Sequence, residues 1–262
     1  MCRVLAYLGA PIQLDQILCK PEHSLIVQSY QPREMQVALL NADGFGVGWY
    51  HEQRDENPYT YKNTLPIWND VNLPHLARYV ESPCTLAYVR SATPGLAVDL
   101  GNCQPFTWGR LMFVHNGFIE RFRHTLRRPL RQLLREDVEC LIQGVTDSEH
   151  IFALILSIWR DQPELSLEEA FRKAIAKLIE LATPQGVKLA VTAVMSTGKR
   201  LVACRYSNFE IISTLYWLRD DLNFPGSVIL ASEPLFEADW KACPAQSLLS
   251  VGEDLEIKCD GL

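Results

Sequence analysis

Residues 1–10 read MCRVLAYLGA, a cysteine directly behind methionine at the head of an apolar run. Cysteine is ordinarily a small buried apolar residue, and on that reading Cys2 is one more core position in a strand. A second reading follows if Met1 is removed, as small second residues generally permit. Cys2 then carries a thiol and a free α-amine on one carbon. That amine, with a pKa of ~8 in model compounds, can take the proton of the neighbouring nucleophile. The rest of the chain decides between the two.

Similar apolar runs bounded by turn residues predict strands at CRVLAYL, FGVGWYH, CTLAYVR and RLMFVHN. KLAVTAVMS, RLVACRY, STLYWLR and SVILAS follow later, with SLLSV and LEIKC paired across a GED turn. The middle of the chain changes period. Apolar residues at 151, 152, 154, 155, 158 and 159 predict a helix over Asp147–Trp159, with Thr146-Asp147 to cap it. Ser166-x-x-Glu169 opens a second helix to about Leu181, ended before Pro184. Strands, then helices, then strands again predict an α+β fold rather than alternating βαβ units. No repeat or Ser/Gly linker interrupts the chain, so one domain spanning residues 2–262 is expected.

The 262 residues are 48% hydrophobic and carry a net charge of −6, which argues against a nucleic-acid-binding surface. Eight cysteines stand singly, without C-x-x-C pairs or zinc spacing, so no metal or other cofactor is expected. The longest apolar run, IFALILSIW, is far short of a membrane span, and Gly9, Pro11, Gln13 and Asp15 interrupt any signal-peptide core. A cytoplasmic protein with reduced thiols is expected, acting on a small molecule, with neither nucleic acid nor membrane as partner. Its oligomeric state stays open.

Two suggestive stretches carry little. GFGVG (Gly44–Gly48) resembles a phosphate loop but leads into an aromatic strand, so its glycines are read as allowing close strand approach. Six arginines between Arg121 and Arg135 lack interleaved aromatics and are read as a solvated helix face.

Three separated motifs carry chemistry. In YVRSATPG (Tyr88–Gly95), Arg90 at a strand end is either surface punctuation or a bidentate grip for a carboxylate, with Thr93 adding a hydroxyl. In FVHNGFI (Phe113–Ile119), Asn116-Gly117 is either a turn or a pair of donors aimed at one oxygen. In GVTDSEHIF (Gly144–Phe152), Asp147 is either a helix cap or a partner for an ammonium group. Together they suit a single ligand. An arginine for the α-carboxylate and an aspartate for the α-ammonium would hold a glutamyl group, leaving its γ-carbonyl to a thiolate and an oxyanion hole.

MCR, NADGFGVGWY, VRSATPG, VHNG and TDSE, in this order and roughly these intervals, resemble the class II glutamine amidotransferases, a group of N-terminal-nucleophile hydrolases. MCRVLAYLGAP, LIVQSYQPR and VILASEPL bring the resemblance nearest to the ergothioneine-biosynthesis hydrolase (EgtC) family, over about Cys2 to Val251. The resemblance implies a four-layer αββα sandwich. It implies Cys2 as the nucleophile, Asn116 and Gly117 as the oxyanion hole, and Arg90, Thr93 and Asp147 as the glutamyl-binding residues, with His115 counted beside them. The wider group often has histidine where this chain has Pro94, so recognition here is expected to differ. The reaction implied is hydrolysis of γ-glutamyl-hercynylcysteine sulfoxide to glutamate and hercynylcysteine sulfoxide. A stand-alone glutaminase, an ammonia-donating amidotransferase subunit and a catalytically silent γ-glutamyl-binding protein are the alternatives.

Overall fold

The structure, a computed structural model, describes residues 2–34, 40–51, 53–92 and 98–262. Along the chain run β1 (Arg3–Gln13), α1 (Asp15–Leu18), α2 (Leu25–Tyr30), β2 (Phe45–His51), β3 (Asp55–Asn63), α3 (Leu73–Tyr79) and β4 (Glu81–Val89). Then come β5 (Phe106–Trp108), β6 (Leu111–Ile119), α4 (Arg127–Arg131), α5 (Glu136–Glu139), α6 (Asp147–Asp161) and α7 (Leu167–Ala182). The last third holds β7 (Leu189–Ser196), β8 (Leu201–Ser207), β9 (Tyr216–Asp221), β10 (Phe224–Ala231), β11 (Lys241–Ala242), β12 (Ser247–Val251) and β13 (Ile257–Gly261).

The strands form two antiparallel sheets, ordered β11-β9-β10-β1-β4-β2-β3 and β13-β12-β8-β7-β6-β5. Alternation along each strand builds three cores. Val4, Ala6, Leu86 and Tyr88 of the first sheet meet Met112, Val114, Val194 and Ala203 of the second, and Cys2 sits in that shared layer. On the outer face of the first sheet, Leu5, Phe45 and Val47 pack with Leu18, Leu25 and Ala77 of the short helices. On the outer face of the second, Phe113 and Val191 pack beneath α6 and α7, with the Phe113 and Phe152 rings stacked at 5.3 Å. Helices, sheet, sheet, helices: this is the αββα sandwich.

Both long helices start where their caps predict. Thr146 caps α6 by accepting from the Glu149 N–H, and Ser166 with Glu169 forms a complete capping box on α7. Four details differ from the sequence reading. β6 runs unbroken through Asn116-Gly117 to Ile119, because β7 pairs with it residue for residue and leaves no turn there. β3 was not expected, being polar, exposed and containing Pro58, which an edge strand tolerates. β13 begins at Ile257, since Leu255 takes a left-handed φ of 59° to close the preceding turn. The arginine-rich stretch forms only the short α4 flanked by turns. Gly46 and Gly48 behave as read: an added Cβ would lie 1.9 Å from the Gln104 carbonyl and 2.3 Å from Met112 Sδ. Among the described residues no helix is long and apolar enough to cross a membrane.

Candidate active site

Three strand ends meet at one edge of the first sheet. Arg3 of β1 and Phe45 of β2 both pair with Val89 of β4, so Cys2, Gly44 and Arg90 lie side by side one residue beyond. Backbone bonds extend the pairing outward: Arg90 N–H donates to Gly44 O at 2.8 Å and Asp43 N–H to Arg90 O at 3.1 Å. Asp43 Oδ2 accepts from Ala92 N–H at 2.7 Å, which pins the chain just after Arg90. Arg90 is buried, and its Nη1 donates to the Asp43 carbonyl at 3.3 Å. Thr93 lies outside the described residues.

Cys2 is 8% exposed, and its sulfur is well surrounded. It accepts from Tyr88 O–H at 2.8 Å and from Ser91 N–H at 3.3 Å, and faces the Ser91 carbonyl at 3.5 Å. Burial, and then the neighbouring Cys2, push the Tyr88 phenol well above its ordinary range, so it stays protonated and donates. The Cys2 carbonyl accepts from Arg3 Nη1 at 2.9 Å, and Arg3 is ion-paired with Glu233 at 2.8 Å. Glu233, fully buried, also takes His23 Nε2 at 2.7 Å and the N–H groups of Arg33 and Glu34 at 2.8 and 3.1 Å.

Across the layer stands β6. Met112, Val114 and Asn116 share one face by the period of two, and Met112 and Val114 belong to the cluster that contains Cys2. Asn116 is 1% exposed, and among the described residues neither its Nδ2 nor its Oδ1 has a partner. A buried amide with both ends unmatched costs roughly 1–3 kcal/mol, so it marks a place kept for a ligand or for water. Gly117 has no room for a side chain: a Cβ would lie 2.1 Å from Ala190 O and 2.4 Å from His115 Nε2.

His115 points to the other face. Its Nδ1 is 2.8 Å from Ser148 Oγ on α6 and its Nε2 3.3 Å from Ala190 O. Burial holds its pKa below the usual histidine value, so the ring is neutral: with Nε2–H given to Ala190, Nδ1 accepts from the Ser148 hydroxyl. Asp147 is the first residue of α6 rather than its cap. Its Oδ2 accepts from Ile119 N–H at 2.7 Å and its Oδ1 from Ser148 N–H at 2.8 Å, which ties the start of α6 to the end of β6 just past Gly117. The half-buried carboxylate keeps lone pairs for a further donor. Glu149 holds the chain that leads into α6 by accepting the N–H groups of Gln143 and Gly144.

Thus Cys2 and Arg90 are joined through Ser91, while Asn116, Gly117, His115 and Asp147 gather at the end of β6. Sequence reasoning missed Tyr88, Asp43, Arg3 and Glu233. Tyr88 had a signal, since it shares its strand face with Cys84 and Leu86, the face turned to the second sheet. Glu233 had none, lying 230 residues from Arg3. A cavity of about 600 Å³ lies at the far end of β2, lined by Trp49, His51, Tyr59 and Tyr79, and shares no residue with this cluster. Its described lining includes His51, Asp55 and Glu81 but no cysteine, serine or threonine to serve as a nucleophile.

Comparison with known proteins places the whole chain in a family. The pattern described as "Glutamine amidotransferases class-II" matches residues 18–219. A Saccharomyces cerevisiae protein named "Probable glutamine amidotransferase DUG3" is 33% identical over 96% of this chain and 82% of its own. The gamma-glutamyl-hercynylcysteine sulfoxide hydrolase of Mycolicibacterium smegmatis is 31% identical over 96% of each chain. The solved structure of a glutamine aminotransferase class-II domain protein from Silicibacter pomeroyi superposes with a TM-score of 0.73 at 27% identity, covering 100% of this chain and 99% of that one. The chain belongs to the class II glutamine amidotransferases, enzymes that act on the γ-amide of a glutamyl group.

Proposed function

We propose that this enzyme uses Cys2 to hydrolyse γ-glutamyl-hercynylcysteine sulfoxide to glutamate and hercynylcysteine sulfoxide. The observation that carries the catalytic part is the unmatched Asn116 amide, buried on the face of β6 that packs over the Cys2 cluster. In this reading Met1 is removed and the Cys2 α-amine takes the thiol proton. The sulfur forms a bond to the γ-carbonyl carbon while Asn116 and Gly117 N–H stabilise the oxygen, each donor contributing on the order of 3 kcal/mol. The C–N bond then breaks, and the proton held by the amine passes to the leaving nitrogen. Water attacks the thioester, releasing glutamate and restoring the thiol. Arg90, with Thr93, holds the α-carboxylate and Asp147 the α-ammonium. His115 steadies Asp147 through Ser148.

The leaving group is read from two sides. The M. smegmatis relative carries the hercynyl substrate in its name. A trimethylammonium has no N–H to donate, so aromatic faces are its natural partners. Of four aromatics near the motifs, Trp49 is packed against Tyr59 at the far end of β2, and Trp108 lies under Arg160. Tyr30 and Trp68 form an exposed edge-to-face pair, ring centroids 5.8 Å apart. Tyr30 adjoins the segment that leads to Asp43, through the bond from Asn41 N–H to Ser29 O. That pair is the cage we assign to the cation.

Glutamate release from γ-glutamyl-hercynylcysteine sulfoxide, γ-glutamylcysteine and glutamine, measured in competition, tests the assignment. A preference of at least about tenfold for the first, on the order of 1.4 kcal/mol, is expected. Equal kcat/KM for glutamine and the hercynyl compound removes the ergothioneine assignment. The likeness to DUG3 over 96% of the chain favours, as second reading, a γ-glutamyl amidase with a different leaving group.

A further inference from the structure

The Tyr88 hydroxyl is in the wrong place for ordinary core packing. It lies in the layer between the two sheets, on a buried strand of the first, and Cys2 Sγ at 2.8 Å is its hydrogen-bond partner. A buried phenol needs a partner, and a neutral thiol is a weak acceptor. A thiolate is a strong one.

We propose that Tyr88 is a catalytic residue that donates its hydrogen bond to the sulfur whenever the sulfur carries negative charge; this rests on Cys2 being the nucleophile. Charge develops there twice. In acylation the thiol proton moves to the α-amine as the C–S bond forms. In deacylation the amine takes a proton from the attacking water, the C–S bond breaks with its electron pair returning to sulfur, and the amine passes that proton to the thiolate. Tyr88 keeps its own proton throughout. Ser91 N–H, at 3.3 Å, is a second donor on the same sulfur. Tyr88 and Ser91 thereby form a small hole for the sulfur, as Asn116 and Gly117 do for the carbonyl oxygen. The other titratable groups whose charge reaches the phenol are Arg90 and Cys103, while Arg3 faces the Cys2 carbonyl. Because Tyr88 does not bind the glutamyl group, its effect falls on kcat rather than on ligand affinity.

Tyr88→Phe deletes only the hydroxyl. Three measurements are made on it and on the parent: glutamate affinity by calorimetry, kcat and KM, and the rate of Cys2 alkylation by iodoacetamide, followed on the Cys2 peptide by mass spectrometry. The expected result is glutamate affinity within about twofold, with alkylation slower and kcat lower by about ten- to a hundredfold, the size of a hydrogen bond to a charged group. Parent-like alkylation and kcat overturn the proposal. So does loss of glutamate binding, which makes the hydroxyl a structural element only. Cys2→Ala separates the two levels: if it keeps turnover, the nucleophile reading fails and this proposal with it. If it is inactive while Tyr88→Phe is unchanged, only the role of Tyr88 fails.

Discussion

Glu233, two residues beyond β10, pairs with Arg3 at 2.8 Å, and each side chain is 1% exposed. The same arginine donates to the carbonyl of Cys2, so a carboxylate far along the chain helps to set the orientation of Cys2. Breaking a buried pair strands the remaining charge, at a cost of about 3–5 kcal/mol. Glu233→Ala is expected to lose that much in denaturant unfolding at neutral pH. Glu233→Gln, which can still accept, is expected to lose less.

Acid should reveal the same group. Burial alone would push the Glu233 carboxyl up, but His23, the Arg33 N–H and Arg3 outweigh it and hold the pKa at about 2. An unfolded glutamate titrates near ~4.3. The folded value is the lower one, so this stabilisation is complete above about 4.3 and is lost as pH falls from there toward about 2. Melting curves between pH 6 and 3 should fall more steeply for the parent than for Glu233→Gln. Parallel curves would assign the acid sensitivity to other carboxylates.

Cys2→Ala should abolish turnover, and intact-mass measurement of active enzyme should show Met1 missing. The other seven cysteines should each tolerate Ala or Ser with activity largely kept. Burial pushes the Cys84 thiol up to about 12, which leaves it unreactive at neutral pH, whereas Cys140 and Cys259 are exposed. Active enzyme that retains Met1 in full would end the amine-base mechanism.

Asn116→Ala should lower kcat by roughly a hundredfold or more. Its effect on stability should be unusual for a buried polar residue, because the amide it removes has no partner among the described residues to strand. The melting temperature is expected to stay level or rise. A loss of several degrees would mean that Asn116 is a structural amide.

Arg90→Ala should damage kcat/KM severely, and Arg90→Lys should recover little, because an ammonium lacks the planar fork that grips a carboxylate. Parent-like kinetics in the lysine variant would move carboxylate recognition elsewhere. On the leaving-group side, Trp68→Ala should lower kcat/KM for the hercynyl substrate by about two- to thirtyfold, a cation–π contact of ~0.5–2 kcal/mol. Glutamine hydrolysis should be unaffected. An equal loss for both substrates would place Trp68 in general packing.

Much was written locally. Two-residue alternation marked β1, β2, β4 and β6, and the 3.6-residue period with Thr146 and Ser166 marked α6 and α7, since these patterns depend only on neighbours in the chain. Local pattern also offered Cys2, Arg90, Asn116 and Asp147, each with a bland alternative equally consistent with its motif. Tertiary structure decided what no neighbour could. Pairing of β6 with β7 turned Asn116-Gly117 from a turn into mid-strand, and the facing of two sheets brought Met112 and Val114, on the same face of β6 as Asn116, into the Cys2 cluster. The register of β1, β2 and β4 set Arg90 beside Cys2, and closure of β10 onto β1 brought Glu233 to Arg3 across 230 residues. Partners so distant in sequence leave no periodic trace, because their contact exists only once the sheets have formed.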